Sequence, residues 1–408
     1  MNAEYGTLAN YFTGIAYKRL SAVECDPRNS NQHEFNATVA FLKVFGKSEE
    51  PAKLASSFVY ISDEQAFQQD ATLTIYDARK NTPGRTEYRA YFPSNKVTDM
   101  MQLGDCVIFA KKPDETALVI VAQKDSDALD DLLWLFGQST LEDSFRSDLE
   151  MEKKPIPRAV LGLLDLIGIK LPQADNELED MLERFNGDFP PTKEFSKYAR
   201  QKSNYQNALD GNSPDDVIMD WYSTEERMHS VLARYIIDQR FKQGIINADN
   251  FIEYAKSTLN KRKARAGQAL ENHLEQMFKD HGLKYSRTPR TEGNVRPDFI
   301  FPSIEDYRNP SFPEIQLHML GVKTTCKDRW RQVLVEAARI PHKHLFTLER
   351  AISTAQTDEM GAHNLTLVMP TEICTTYTKQ QQAWLLNLED FLGLLRENQT
   401  IRGVNIKG

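Results

Sequence analysis

The stretch HMLGVKTTCKDRWRQVLVEAARI, His318 to Ile340, changes period half-way along its length. In its first part Leu320, Val322 and Thr324 alternate with Met319, Gly321, Lys323 and Thr325, the two-residue period of a strand. Beyond Lys327, the residues Trp330, Val333, Leu334 and Ala337 fall at i, i+3, i+4 and i+7. That spacing predicts an amphipathic helix whose other face carries Arg329 and Glu336. Upstream, GNVRPDFIFPS (Gly293 to Ser303) runs Pro297-Asp298 into the strand-like Phe299-Ile300-Phe301. A loop joins the two stretches, so a hairpin between them sets Asp298 beside Lys323. Alternating helical and strand patterns through this half of the chain predict an α/β fold.

Asp298, Lys323 and Glu336 form a set that suits phosphodiester hydrolysis. That reaction needs a hard cation to neutralise developing charge and to make hydroxide at neutral pH, and carboxylate oxygens are the ligands Mg²⁺ takes. Asp298 and Glu336 are the candidate metal ligands; Lys323 is the candidate for orienting the attacking water or stabilising the pentavalent state. A third carboxylate lies upstream in RKARAGQALENHLEQMFKDHG (Arg262 to Gly282), where Leu270, Leu274, Met277 and Phe278 form an apolar stripe and Gly282 a stop. Glu271 stands at the edge of that stripe with Glu275 and is read as supporting the site. The row KDRWR supplies Lys327, Arg329 and Arg331, which match guanine O6 and N7, with Asp328 able to accept from cytosine N4. Trp330 reads as core. A turn aspartate with a solvated lysine is the bland alternative for Asp298 and Lys323, and the basic row directly after Lys323 weighs against it.

The chain has 408 residues, 40% of them hydrophobic, which supports more than one core and excludes a mainly disordered polymer. The net charge of −8 is unevenly spread. Pro113 to Glu152 holds eleven acidic and two basic residues, whereas Lys261 to Arg296 holds nine basic and four acidic ones. A local basic field of that kind serves a polyanion even in an acidic protein. The longest apolar run, AVLGLLDLIGIKLP from Ala159, is interrupted by Asp165 and too short to span a bilayer. Four scattered cysteines without a CxxC pair, and no basic and apolar leader, predict a cytoplasmic location.

Residues 1 to about 125 read as β, with ATVAFLKVF from Ala37, SSFVYIS from Ser56, ATLTIYDAR from Ala71 and TEYRAYF from Thr86 as strands. DCVIFAKKPDETALVIVAQ from Asp105 reads as a hairpin, and the whole as a small barrel or sandwich. In RTEYRAYF, Arg85, Glu87, Arg89 and Tyr91 share one face of a strand. Neighbours on such a face stand roughly 7 Å apart, which fits successive base edges in a major groove; an exposed salt-bridge ladder is the plain alternative.

NKRKARAGQALENHLEQMF, EGNVRPDFIFPS and above all VKTTCKDRWRQVLVEA resemble the catalytic half of the EcoRII-type restriction endonucleases, a branch of the PD-(D/E)xK nucleases. The likeness runs from about Phe189 to Leu395 and includes PHKHLFTLERAISTAQTDEM. It implies Asp298, Lys323 and Glu336 as the catalytic set with Glu271 in support, Mg²⁺ dependence, a homodimer through the C-terminal domains and cutting at a CC/GG-flanked site. Gly321 stands two residues before the lysine, so the second acid comes from Glu336, as in that branch. YKRLSA (Tyr17 to Ala22), His33 and YDARKNTPGRTEYR (Tyr76 to Arg89) resemble the family's effector domain, a B3-like pseudobarrel that binds DNA. Arg85, Glu87 and Arg89 fall on its base-reading motif and His33 near another contact, while Pro83 replaces a basic residue of the pattern.

The resemblance implies three segments: an effector domain over 1–150, an acidic helical linker with prolines over 151–188, and a catalytic domain over 189–408. It also implies duplex DNA as substrate, a separately encoded cognate methyltransferase, and autoinhibition relieved when the effector domain binds a second site. Two other readings share the fold: a DNA-binding regulator that keeps the nuclease core as a scaffold, and a structure-specific nuclease. Presence of all three catalytic residues favours an enzyme, and the KDRWR row favours a sequence-specific one.

Overall fold

Ala117–Ala122 (β7) is buried at every position, because both faces of the sheet to which it belongs are covered. It forms the expected hairpin with Cys106–Lys111 (β6), pairing Cys106 with Ala122 and Lys111 with Ala117. The computed structural model describes residues 6–25, 33–63, 65–138, 140–154, 156, 160–169, 177–242, 248–327, 329–350 and 352–404. These fall into two compact units, Met1–Pro172 and Gln173–Gly408.

In the first unit, the other described strands are Gly14–Arg19 (β1), Glu34–Asn36 (β2), Ala52–Ile61 (β3), Ala66–Asp77 (β4), Tyr88–Tyr91 (β5) and Arg146–Asp148 (β8). They join one sheet in the order β2-β5-β4-β3-β7-β6-β1-β8. One face, with Ile108, Ile120 and Val59, packs on Leu129, Leu132 and Leu135 of the helix Asp127–Leu135. That helix begins where the Ser126 hydroxyl accepts from the Leu129 N–H at 3.1 Å. The other face curls on itself: Phe35 of β2 meets Phe109 of β6 at 5.2 Å and Phe145, next to β8, at 6.3 Å between ring centroids. Among the described residues β2 and β8 remain unpaired to each other, so the curled sheet is open.

One expectation is corrected here. Ala37 to Phe45, read as a strand, contains the helix Val39–Phe45. Its β-branched and aromatic residues mimic a strand, yet Phe41 and Val44 are buried three apart while Val39 faces out, and Gly46 ends the helix at φ 84°. Described residues of the segment 151–188 contribute to two cores. Met151, Val160, Leu164 and Ile167 belong to the core of the first unit, and Met181 and Phe185 to a core of the second with Phe195 and Tyr198. The three prolines Pro155, Pro157 and Pro172 lie outside the described residues.

The second unit carries a mixed sheet. Ser286–Arg287 (β9), Phe299–Phe301 (β10) and His318–Lys323 (β11) are antiparallel neighbours, and Lys343–Thr347 (β12) and Leu365–Val368 (β13) continue from β11 in parallel. The helix Ala248–Asp280 presses Leu270, Leu274, Met277 and Phe278 inward; the Phe278 ring meets Phe299 and Phe301 edge-on at 5.1 and 5.0 Å. Among the described residues no helix is long and apolar enough to cross a membrane.

Candidate active site and DNA-reading residues

β10 and β11 pair Phe299 with Leu320, and this register sets Asp298 next to the C-terminal end of β11. The Val322 N–H donates to Asp298 Oδ2 at 2.6 Å, and Lys323 Nζ stands 3.4 Å from the same oxygen and 3.1 Å from the Val322 carbonyl. The hairpin expectation therefore holds for this pair, although the connection is longer than a turn and includes the helix Ile304–Arg308.

Glu336 reaches the same place by another route. The predicted helix over Trp330 to Ala337 stops after Trp330–Val333, and Ala337 adopts φ 47°, in the left-handed region. Glu336 thus sits on a turn, not on the polar face of a helix. Its carboxyl is held up at about 7, first by burial and then by the negative charge of Asp298. Its Oε2 is buried without a hydrogen-bond partner among the described residues. A buried carboxyl oxygen that no protein group satisfies, beside a second carboxylate, fits a hard cation between Asp298 and Glu336. Among the described residues no group of three or more His, Cys, Asp and Glu is gathered as a ready-made metal cluster. The protein side of such a site is two carboxylates, as is usual for Mg²⁺ bound together with substrate phosphate and water.

Glu271 accepts from Arg287 Nη2 at 3.1 Å. Its carboxyl is raised by burial and by Asp298, against the pull of Arg287, so it lies within the field of the same site. Arg287 also binds Glu275 at 2.8 Å and Asn272 at 2.9 Å, which makes β9 the brace of this carboxylate edge. The sequence reading passed over Arg287, whose only signal is a basic residue opposite a strand that follows Pro-Asp.

The family model described as EcoRII C terminal matches residues 229–392. The type II restriction enzyme EcoRII of Escherichia coli is 32% identical over 404 residues, spanning 95% of this chain and 94% of that one. This chain belongs to the EcoRII family of type II restriction endonucleases. It is a site-specific deoxyribonuclease. Among solved structures, metal-depleted Ecl18kI in complex with uncleaved, modified DNA matches with 18% identity and a TM-score of 0.46, covering 57% of this chain and 85% of that one. A PspGI–substrate DNA complex matches with 13% identity and a TM-score of 0.41, covering 52% and 94%.

In this restriction endonuclease the KDRWR row is spread over several environments. Lys327 Nζ stands 3.9 Å from Glu349 Oε1, and Glu349 also accepts from the backbone N–H of Cys326 at 2.7 Å. Arg329 is exposed, with Nη2 at 3.2 Å from the Thr325 carbonyl. Arg331 stacks on Trp330 and pairs with Glu359 at 2.7 Å. Asp328 lies outside the described residues. Trp330 is fully buried, as a core residue should be. Glu349, missed in the sequence, ties the loop after β11 to the end of β12.

In the first unit the strand begins at Tyr88, so Arg85 lies in the exposed turn ahead of it. Glu87 takes hydrogen bonds from Arg79 at 2.5 Å and from Arg89, which pull its carboxyl below the usual range. The Arg85-Glu87-Arg89 row is therefore partly a salt-bridge ladder, with Arg79 as its unforeseen member. His33 is half-buried, its ring set edge-on to Phe92 at 5.8 Å.

Proposed function

We propose that this restriction endonuclease is Mg²⁺-dependent, with Asp298 and Glu336 holding the ion and Lys323 acting at the reacting phosphate. The observation that carries the reading is the meeting of Lys323 with Asp298 at 3.4 Å beside the unsatisfied Glu336 carboxyl. A bound Mg²⁺ supplies a Lewis acid for the phosphate and a water of lowered pKa. The Val322 N–H orients Asp298, leaving its second oxygen for the site. Lys323 has three N–H donors; the one not directed at Asp298 or the Val322 carbonyl faces the reacting phosphate, where it orients the attacking water and offsets developing charge. Glu271, restrained by Arg287, supports the site from outside the ligand pair.

Arg329, Arg331, Lys327 and Asp328 read bases of a CC/GG-flanked, CCWGG-like sequence in duplex DNA, and the chain works as a homodimer through its C-terminal domains. The first unit is a B3-like effector domain that binds a second copy of the site through Arg85, Glu87, Arg89 and His33 and relieves autoinhibition. Its open, curled sheet supports that reading because a curled sheet offers a concave rim for a duplex. The enzyme acts in the cytoplasm alongside a separately encoded methyltransferase. Digesting a sequenced plasmid with the purified chain and Mg²⁺, then mapping the ends, tests the reading. Defined ends that share one CC/GG-flanked sequence support it; no cleavage in Mg²⁺, or ends without a common sequence, refute it.

A further inference from the structure

The site leaves unexplained what aims Glu336. Its Oε2 makes no hydrogen bond among the described residues, so the direction of this carboxyl depends on the backbone that bears it. That backbone is a turn with a left-handed residue, Ala337, immediately after it. Turns of this kind are held by outside partners, because their peptide groups find none in a helix.

The partner is Lys343. It is 6% exposed, and its ammonium donates to the carbonyls of Glu336 at 2.5 Å, Ala337 at 3.2 Å and Ile340 at 2.9 Å. Three N–H groups meet three carbonyls, which saturates the ammonium. Lys343 is the first residue of β12, the strand next to β11, and its own N–H is anchored on the Asn364 carbonyl at 2.9 Å. The turn is gripped from the other side too. Glu292 accepts from the Ala338 N–H at 3.3 Å, and the Tyr307 hydroxyl accepts from the Arg339 N–H at 3.2 Å while donating to Glu292 at 2.5 Å.

We infer that Lys343, working with the Glu292–Tyr307 pair, is a positioning residue that fixes the Glu336 carboxyl relative to Asp298 and Lys323. The clamp ties the turn bearing one carboxylate to the sheet bearing the other two groups, so it sets the geometry of the ion site without touching the ion or the DNA. This rests on the proposed metal role of Asp298 and Glu336.

The test is calorimetric titration of Mn²⁺ into the full chain, for wild type, Lys343→Met, Glu336→Gln and the double variant, with cleavage kinetics alongside. Lys343→Met is expected to bind Mn²⁺ about tenfold more weakly and to lose kcat while KM for DNA stays within twofold. Added to Glu336→Gln, it is expected to weaken binding no further. Wild-type Mn²⁺ affinity in a folded Lys343→Met overturns the inference, as does an equal loss in both backgrounds. Should Glu336→Gln itself bind like wild type, the metal assignment falls and the clamp's purpose with it. If Lys343→Met does not fold, Tyr307→Phe decides, since it removes a single hydroxyl: a severalfold weaker Mn²⁺ affinity supports the clamp and an unchanged one refutes it.

Discussion

Acidification should destabilise the second unit through two histidines that its sheet holds neutral. His318 on β11 and His344 on β12 stand 5.8 Å apart between ring centroids, and His342 lies 5.1 Å from His344. The Phe391 ring covers His344 at 5.0 Å, while the His342 ring nitrogen binds the Thr366 hydroxyl. Burial, then the neighbouring imidazoles, depress His318 from 6.5 to about 4 and His344 to about 3. In the unfolded chain each takes up a proton near pH 6.5; in the fold each refuses it until pH 4 or below. Between those limits the unfolded state binds more protons, so stability falls as pH falls. At pH 5 each histidine is about 1.5 pH units below its unfolded value, which costs about 2 kcal/mol, or about 4 kcal/mol for the pair. Glu336 opposes this. Its carboxyl, raised to about 7, gains a proton in the fold before it does so unfolded, and so stabilises as pH falls from 7 to 4.5. The wild-type profile is a partial cancellation, and a variant separates the parts. Urea unfolding of wild type and His318→Gln, followed by circular dichroism at pH 7.5 and pH 5, should show that the variant loses about 2 kcal/mol less on acidification. Equal losses in the two proteins would refute the reasoning, since His318 would then take its proton equally readily folded and unfolded.

Lys323→Ala should cut cleavage by about a hundredfold or more while cognate binding stays near wild type, because the lysine acts on the transition state; single-turnover kinetics beside gel shifts read both. Asp298→Ala should lose Mn²⁺ affinity as well as activity, and calorimetry separates the two effects. Arg329→Ala should weaken cognate binding by about 1–3 kcal/mol with little change on a scrambled duplex, as for a lost bidentate guanine contact; equal weakening on both would make it a phosphate contact. A chain beginning at Gln173 should cut a one-site plasmid faster than the full protein if the first unit restrains cleavage. One beginning at Asn186 should be less stable than it, because Met181 and Phe185 leave the core they share with Phe195. Thermal melts and plasmid digests measure both.

Local pattern reached a good part of the second unit. Asp298 and Lys323 were legible because strand alternation is a property of neighbours in sequence, and two adjacent antiparallel strands bring their ends together whatever joins them. The stripe Leu270, Leu274, Met277 and Phe278 was legible for the same reason at helical spacing, and all four are buried. The β6–β7 hairpin followed from two apolar runs about a polar turn. In each case the information sits within a few residues.

Where partners distant in sequence set the backbone, that information fails. Trp330, Val333, Leu334 and Ala337 keep perfect helical spacing, yet the helix ends at Val333 because Lys343, Glu292 and Tyr307 offer the peptide groups of 336–340 better-placed hydrogen bonds than another helical turn. Phe41 and Val44 look like strand residues, but the core they fill makes Val39–Phe45 a helix. Arg79 and Arg287 gained their roles from tertiary placement, which put one guanidinium of the β4–β5 turn beside Glu87 and one of β9 beside Glu271 on the helix Ala248–Asp280. Spacing and propensity are summed over a handful of neighbours, whereas a buried ammonium or guanidinium chooses its acceptors from whatever the fold brings within 3 Å. The aim of the Glu336 carboxyl belongs to that second kind of decision.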